Sequence, residues 1–147
     1  MSNFEELTQL IPSFSEKNQE VNKVLQCVER KLVNLDLDVE AWLTEDPLIS
    51  QSTRIDGNVF QIEQVLGFGR HEGSYALLVK EIIRSREDGW QSQEWLKSGL
   101  SRLLREESRE LRFRAIGKLD ALVNVITARS RDMIEAFDAG RKTQKHC

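Results

Sequence analysis

Residues 100–139 read LSRLLREESRELRFRAIGKLDALVNVITARSRDMIEAFDA, and this stretch decides the fold. Turning about 100° per residue from Leu111, as an α-helix does, gathers Leu104, Leu111, Ala115, Leu119, Leu122, Ile126, Met133 and Phe137 within about 80° of one another. Ile116 and Val123 widen the stripe on one side. The pattern is the apolar face of an amphipathic helix that must bury against something. Leu104, Ala115, Ile126 and Phe137 recur every eleven residues, a spacing that suits a nearly straight helix. One long helix over Leu100–Ala139 is expected. Two places in it are weak: Ser108 can cap a fresh start, and Gly117 favours a bend or a close backbone approach.

The same projection sorts the charges. Arg102, Arg105, Arg109 and Arg112 fall on one flank of the expected helix, and Glu106, Glu107 and Glu110 on the other. A solvated helix surface with modest local pairs such as Glu110 with Arg114 accounts for this. The functional reading is a strip of arginines that faces an anion.

Upstream of this stretch the period is two. Phe60, Ile62, Leu66 and Phe68 share one face of an expected strand, with Gln61, Glu63 and Val65 on the other. Gly67–Gly73 is expected as a glycine-bounded turn leading into a second strand, Tyr75–Arg84. Asp88-Gly89 signals another hairpin, which makes Trp90–Lys97 a third strand. Val39–Thr44 is a strand or a docked loop anchored by Trp42. Glu45–Asn58 carries the turn signals Asp46-Pro47 and Asp56-Gly57, is the longest stretch without periodicity, and is expected to be the most mobile.

The chain opens with helices. Ser2-x-x-Glu5 and Ser13-x-x-Glu16 are capping boxes, and Pro12 between them predicts a break into a short helix and a longer one ending near Leu35. The longer helix carries Phe14, Val21, Leu25, Val28, Leu32 and Leu35, and Asn18 completes a 4-3-4-3 alternation among them. That is a heptad seam with one polar position. Its expected partner is the Leu100–Ala139 helix, with a homodimer seam as the alternative.

The fold class expected is α+β. A three- to four-stranded antiparallel meander would carry the N-terminal helices and the long C-terminal helix on one face. Residues 1–139 are read as a single domain, with 140–147 a flexible basic tail after a helix stop at Gly140. A length of 147 residues and 31% charged side chains fit one soluble domain. The net charge of −3 argues against a general nucleic-acid coat protein. Charge is unevenly spread: residues 1–59 hold 11 acids and 5 bases, and residues 60–147 hold 13 acids and 16 bases. The acidic front is therefore expected to pack on the basic back, in the same chain or in a second copy.

Cys27 and Cys147 do not form a disulfide framework, and the N-terminus does not read as a signal peptide. The longest apolar run, Tyr75–Val79, is far too short to span a membrane. A cytoplasmic protein is expected.

Gly67, Gly69 and Gly73 lack the helix that a phosphate-cradling loop needs, because a strand follows them. Arg70-His71-Glu72 is the most chemically capable triplet, since His71 is the histidine best placed to act as a base near neutral pH. Consecutive side chains on a turn diverge, which favours plain turn residues. Trp90 and Trp95 are candidate surface anchors. No metal spacing and no cofactor motif stands out. The function expected is a non-enzymatic protein-interaction module, comparable in size and element order to secretion chaperones, immunity proteins and antitoxins. The alternative is nucleic-acid or phosphate-ligand binding through Arg102, Arg105, Arg109 and Arg112, helped by Arg70.

Overall fold

The computed structural model describes residues 3–86 and 93–144. Two tight turns set the sheet. Asp56-Gly57 joins β2 (Ile49–Ile55) to β3 (Asn58–His71), and Glu72-Gly73 joins β3 to β4 (Ser74–Arg86). All four turn residues have positive φ, between 51° and 88°. Such two-residue turns match the twist of the strands they join, and glycine at the second position makes them affordable. β1 (Ala41–Trp42) pairs with the far end of β3, while β5 (Gln93–Ser98) and β6 (Arg102–Leu103) pair with β4. All of these pairings are antiparallel.

Register fixes which side chains share a face. Leu66 pairs with Val79, Phe68 with Leu77, and Ala41 with Phe68, so these five stand on one side. They are buried together with Leu25 and Leu32 of α1 (Asn3–Asn34), Leu104, Leu111 and Ala115, and Leu119, Leu122 and Ile126. The last six belong to a 3-10 turn (Leu104–Glu106), α2 (Arg109–Ile116) and α3 (Leu119–Thr143). The helices therefore lie on one face of an antiparallel sheet, in the α+β arrangement the sequence predicts. The opposite face also buries Val65, Leu78 and Ile82. It holds the Glu63–Arg84 ion pair at 3.7 Å, and Arg84 donates to the Thr44 carbonyl oxygen at 3.1 Å.

Five expectations are corrected. The helix over Leu100–Ala139 is instead β6, the 3-10 turn, α2 and α3. Ser108 starts α2, its Oγ accepting from the Leu111 N–H at 3.3 Å, and Gly117-Lys118 separates α2 from α3. The apolar rhythm survives that joint because both joint residues keep near-helical angles, φ −72°, ψ −7° and φ −112°, ψ −3°. Leu111, Ala115, Leu119, Leu122 and Ile126 thus stay in phase and are all buried. Secondly, Pro12 does not divide the N-terminus, because α1 is one helix of 32 residues. Residues 3–17 are exposed, so the Thr8 carbonyl that loses its N–H donor faces water, and the penalty stays below that of a buried orphan.

The third correction concerns Glu45–Asn58, which contains β2. An edge strand with five of its seven residues exposed, only Ile49 and Thr53 being half-buried, has no fully buried side to impose alternation. The fourth concerns Gly67 and Gly69, which lie within β3 and not in the turn. A Cβ on Gly67 would stand 2.2 Å from the Trp42 ring, and one on Gly69 would stand 2.9 Å from Glu40 Cγ. Both glycines let the β1 segment lie flat against β3. Beyond Ala139, α3 runs through Gly140 to Thr143, past the expected stop.

The core assignment predicts that Leu122→Ala lowers unfolding free energy by about 2–5 kcal/mol. The exposed neighbouring change Val123→Ala should stay within about 0.5 kcal/mol. Urea denaturation of both variants measures the contrast.

Candidate interaction surface

With Pro12 inside the helix, the heptad row of α1 is continuous from end to end. It reads Phe4, Leu7, Ile11, Phe14, Asn18, Val21, Leu25, Val28, Leu32, with Leu35 just past the helix end. The two halves of the row have different fates. Leu25 and Leu32 are buried in the core, with Val21 and Val28 packed beside them. Phe4, Leu7, Ile11 and Phe14 are exposed, Phe4 to 81%. α3 repeats the pattern in reverse. Leu119, Leu122 and Ile126 are buried, and Met133, Ile134 and Phe137 are exposed, Phe137 to 65%. Each long helix therefore begins or ends in a segment that presents apolar side chains to solvent.

Three of the four arginines of the expected strip are brought to α1, Arg102 is not, and the four do not form one helix flank. Arg102 is on β6, where it meets the Glu107 carboxylate and donates to Gln64 Oε1 at 2.9 Å. Arg105, in the 3-10 turn, pairs with Glu29 of α1 at 3.7 Å. Arg109 lies 5.7 Å from the centre of the Phe14 ring. Arg112 donates to Asn18 Oδ1 at 2.7 Å, Asn22 Oδ1 at 2.6 Å and the Glu107 carbonyl oxygen at 3.1 Å. Three of the four thus join the C-terminal segment to α1. Asn18, the polar member of the heptad row, is an acceptor for this contact. Sequence periodicity found Asn18 but gave no sign of its partner, because 94 residues separate the two.

Between α1, the 3-10 turn and β4 lies a groove of about 420 Å³, floored by Leu25, Leu77 and Leu104 and walled by Asn22, Gln26 and Glu29. Glu29 Oε2 accepts from the Leu77 backbone N–H at 2.9 Å. β6 reaches only as far as Leu78 along this edge of β4, so the Glu29 side chain caps strand edge that has no neighbouring strand there. Sequence reading missed Glu29 altogether, since only the docked fold brings it to β4.

Arg70 and His71 close β3, and they part company there. Arg70 joins Asp38 and Tyr75: its Nη2 donates to Asp38 Oδ1 at 3.1 Å, and the Tyr75 hydroxyl donates to the same oxygen. The guanidinium also lies 5.5 Å from the centre of the Tyr75 ring. The Tyr75 hydrogen bond and the Arg70 charge hold the Asp38 carboxyl below its ordinary value, while bonding to Asp38 pushes the Tyr75 hydroxyl up. His71 pairs with Ser74 across the hairpin turn. Trp90 lies outside the described residues, and Trp95 sits in β5 at the register position opposite Arg84.

A further tryptophan proves more informative. Trp42 packs over Gly67, donates from Nε1 to Glu40 Oε1 at 2.7 Å, and carries Lys80 Nζ 4.0 Å from its ring centre. Partial burial lowers the Lys80 ammonium below its ordinary value, against the opposing pull of Glu40. Cation–π contact keeps that charge favourable where water is scarce. Among the described residues, no group of three or more His, Cys, Asp or Glu side chains is close enough to hold a metal ion.

Two measurements check this geometry. Arg112→Ala should lower stability by about 1–3 kcal/mol through the three lost hydrogen bonds. The loss should change little with salt, because the partners are neutral amides and a carbonyl. Asp38→Asn keeps a residue type that tolerates the φ of +50° and removes the charge. Asp38 has a folded pKa below 3.8, so its contribution is present above that pH and fades as acid titrates the folded carboxyl. The variant should therefore melt lower than the parent near neutrality, and the gap should close in acid. Its Tyr75 absorbance titration should fall back toward 10.0.

No family model matches the chain, and neither the curated proteins nor the solved structures contain a significant match to it.

Proposed function

We propose that the protein is a protein-interaction module that engages a partner protein through the projecting ends of its two long helices. One observation carries this reading. Phe4, Leu7, Ile11 and Phe14 on α1, and Met133 and Phe137 on α3, stand exposed in rows that continue the buried faces of the same helices, with Ile134 exposed beside the α3 row. Scattered apolar side chains on a surface need no explanation, whereas contiguous ones mark contact sites. The nucleic-acid alternative gains no comparable support, because Arg102, Arg105 and Arg112 are engaged by Glu107, Glu29, Asn18 and Asn22 of the same chain.

No helix among the described residues is long and apolar enough to cross a membrane. The compartment we propose is the cytoplasm, where an exposed thiol such as that of Cys27 stays reduced.

The test uses the intact chain as bait in native cell extract, beside the double variant Ile134→Glu with Phe137→Glu. A protein held by the parent at high salt and released by the variant is the expected result. Retention of nucleic acid by both, falling steeply as salt rises, would overturn the reading in favour of phosphate contacts.

A further inference from the structure

The projecting half of α1 carries an apolar seam whose flanks leave self-pairing unopposed. Labelled as heptads with Phe4 at a, the segment 3–17 places Phe4 and Ile11 at a, and Leu7 and Phe14 at d. Its acids, Glu5, Glu6 and Glu16, fall at b, c and f, away from the seam. The flanking e and g positions hold Thr8, Ser15, Asn3, Leu10 and one charge, Lys17. Charged e and g residues are what a coiled coil uses to choose a foreign partner or reject itself. Here those devices are nearly missing, and nothing on the flanks opposes pairing of two identical segments.

We propose that residues 4–14 of α1 pair with the same residues of a second copy of this chain, in an antiparallel seam. The proposal rests on reading the helix ends as contact surfaces, and it names the occupant of the α1 end. Antiparallel pairing puts Phe4 of one copy against Phe14 of the other, and Leu7 against Ile11, in four layers. Leu10 then meets Leu10 of the second copy on the g flank, whereas a parallel pair would set it against Ser15. The arrangement also completes a half-built cluster. Phe14 and Leu10 border a shallow pocket of about 120 Å³ with Phe113 of α2, and Phe4 of the second copy arrives beside it. Asn18, held by Arg112 from its own chain, marks where the row passes from the intermolecular seam to the intramolecular one. The contact is isologous, so it closes at two copies.

Sedimentation or light scattering of the full chain at micromolar concentration reads the result, with circular dichroism melts to show that each variant is folded. The parent should have twice the monomer mass. Leu7→Glu alone and Ile11→Lys alone should each be folded and monomeric, because both positions are exposed in the single chain. Mixing the two variants should restore a one-to-one dimer. In the antiparallel register the introduced carboxylate at 7 faces the introduced ammonium at 11, and the other central layer keeps its parental Leu–Ile pair. A parallel seam would set each introduced charge against an apolar side chain and restore nothing. A monomeric parent, dimeric single variants, or a mixture that remains monomeric would each overturn the proposal. The partner contact at α3 is read on separate variants, so it stands or falls independently.

Discussion

Leu66 and Phe68 of β3 stand beside Val79 and Leu77 of β4, and every helix of the protein is held by that patch. Its position follows from the register of one hairpin. A slip of a single residue between β3 and β4 would turn all four side chains to the other face and leave α1, α2 and α3 without a floor. The Glu72-Gly73 turn prevents the slip, since a two-residue turn with both residues at positive φ admits one register. Gly67 and Gly69 serve the same patch from behind, because they let Trp42 and Glu40 lie close enough for β1 to pair and bring Ala41 into the core.

What could be read from the sequence was whatever one element decides by itself. The period of two over Phe60–Phe68, the Asp56-Gly57 turn and the phase of Leu111 through Ile126 are local properties, and each was visible. Ser108 and Gly117 were visible as weak points, but whether they break a helix depends on what the flanking residues pack against. β2 was invisible for a different reason: an edge strand that is exposed at five of seven positions carries no clear alternation. Pro12 misled because the rule against interior proline assumes a carbonyl with no alternative partner, and the exposed first half of α1 supplies water. Of the candidate site, the arginines were found and their roles were not. Arg112 with Asn18, and Glu29 with the Leu77 N–H, are contacts over 94 and 48 residues that no window along the chain can contain.

The charge asymmetry of the two halves finds a structural use, though a modest one. Glu29 meets Arg105, Asp46 meets Lys118, and Asp38 meets Arg70, each an acid of the front half on a base of the back half. These pairs are mostly open to solvent and individually worth little. Their contribution is to orientation: they tie α1 to the 3-10 turn, the segment around Asp46 to the joint between α2 and α3, and Asp38 to β3, while the buried leucines supply the free energy. Arg112 shows the same division of labour with neutral partners, holding Asn18 and Asn22 on the side of α1 that α2 approaches.

Length, with the place where each helix docks, explains why the helices overrun the body they pack on. At about 1.5 Å per residue, the 32 residues of α1 extend about 48 Å. A compact chain of this size has a radius of gyration near 15 Å, hence a body roughly 38 Å across. α1 is longer than that body, so, docked by its second half over β4, it projects by its first; α3, at 25 residues or about 38 Å, only matches the body and projects because it docks by its first half alone. A projecting helix free of any contact would be expected to lose its apolar residues, since helix propensity alone asks for none. Phe4, Leu7, Ile11 and Phe14 instead keep the heptad phase that Leu25 and Leu32 follow within the core. A row with one phase and two environments is a single packing surface, half satisfied within the chain and half offered outside it.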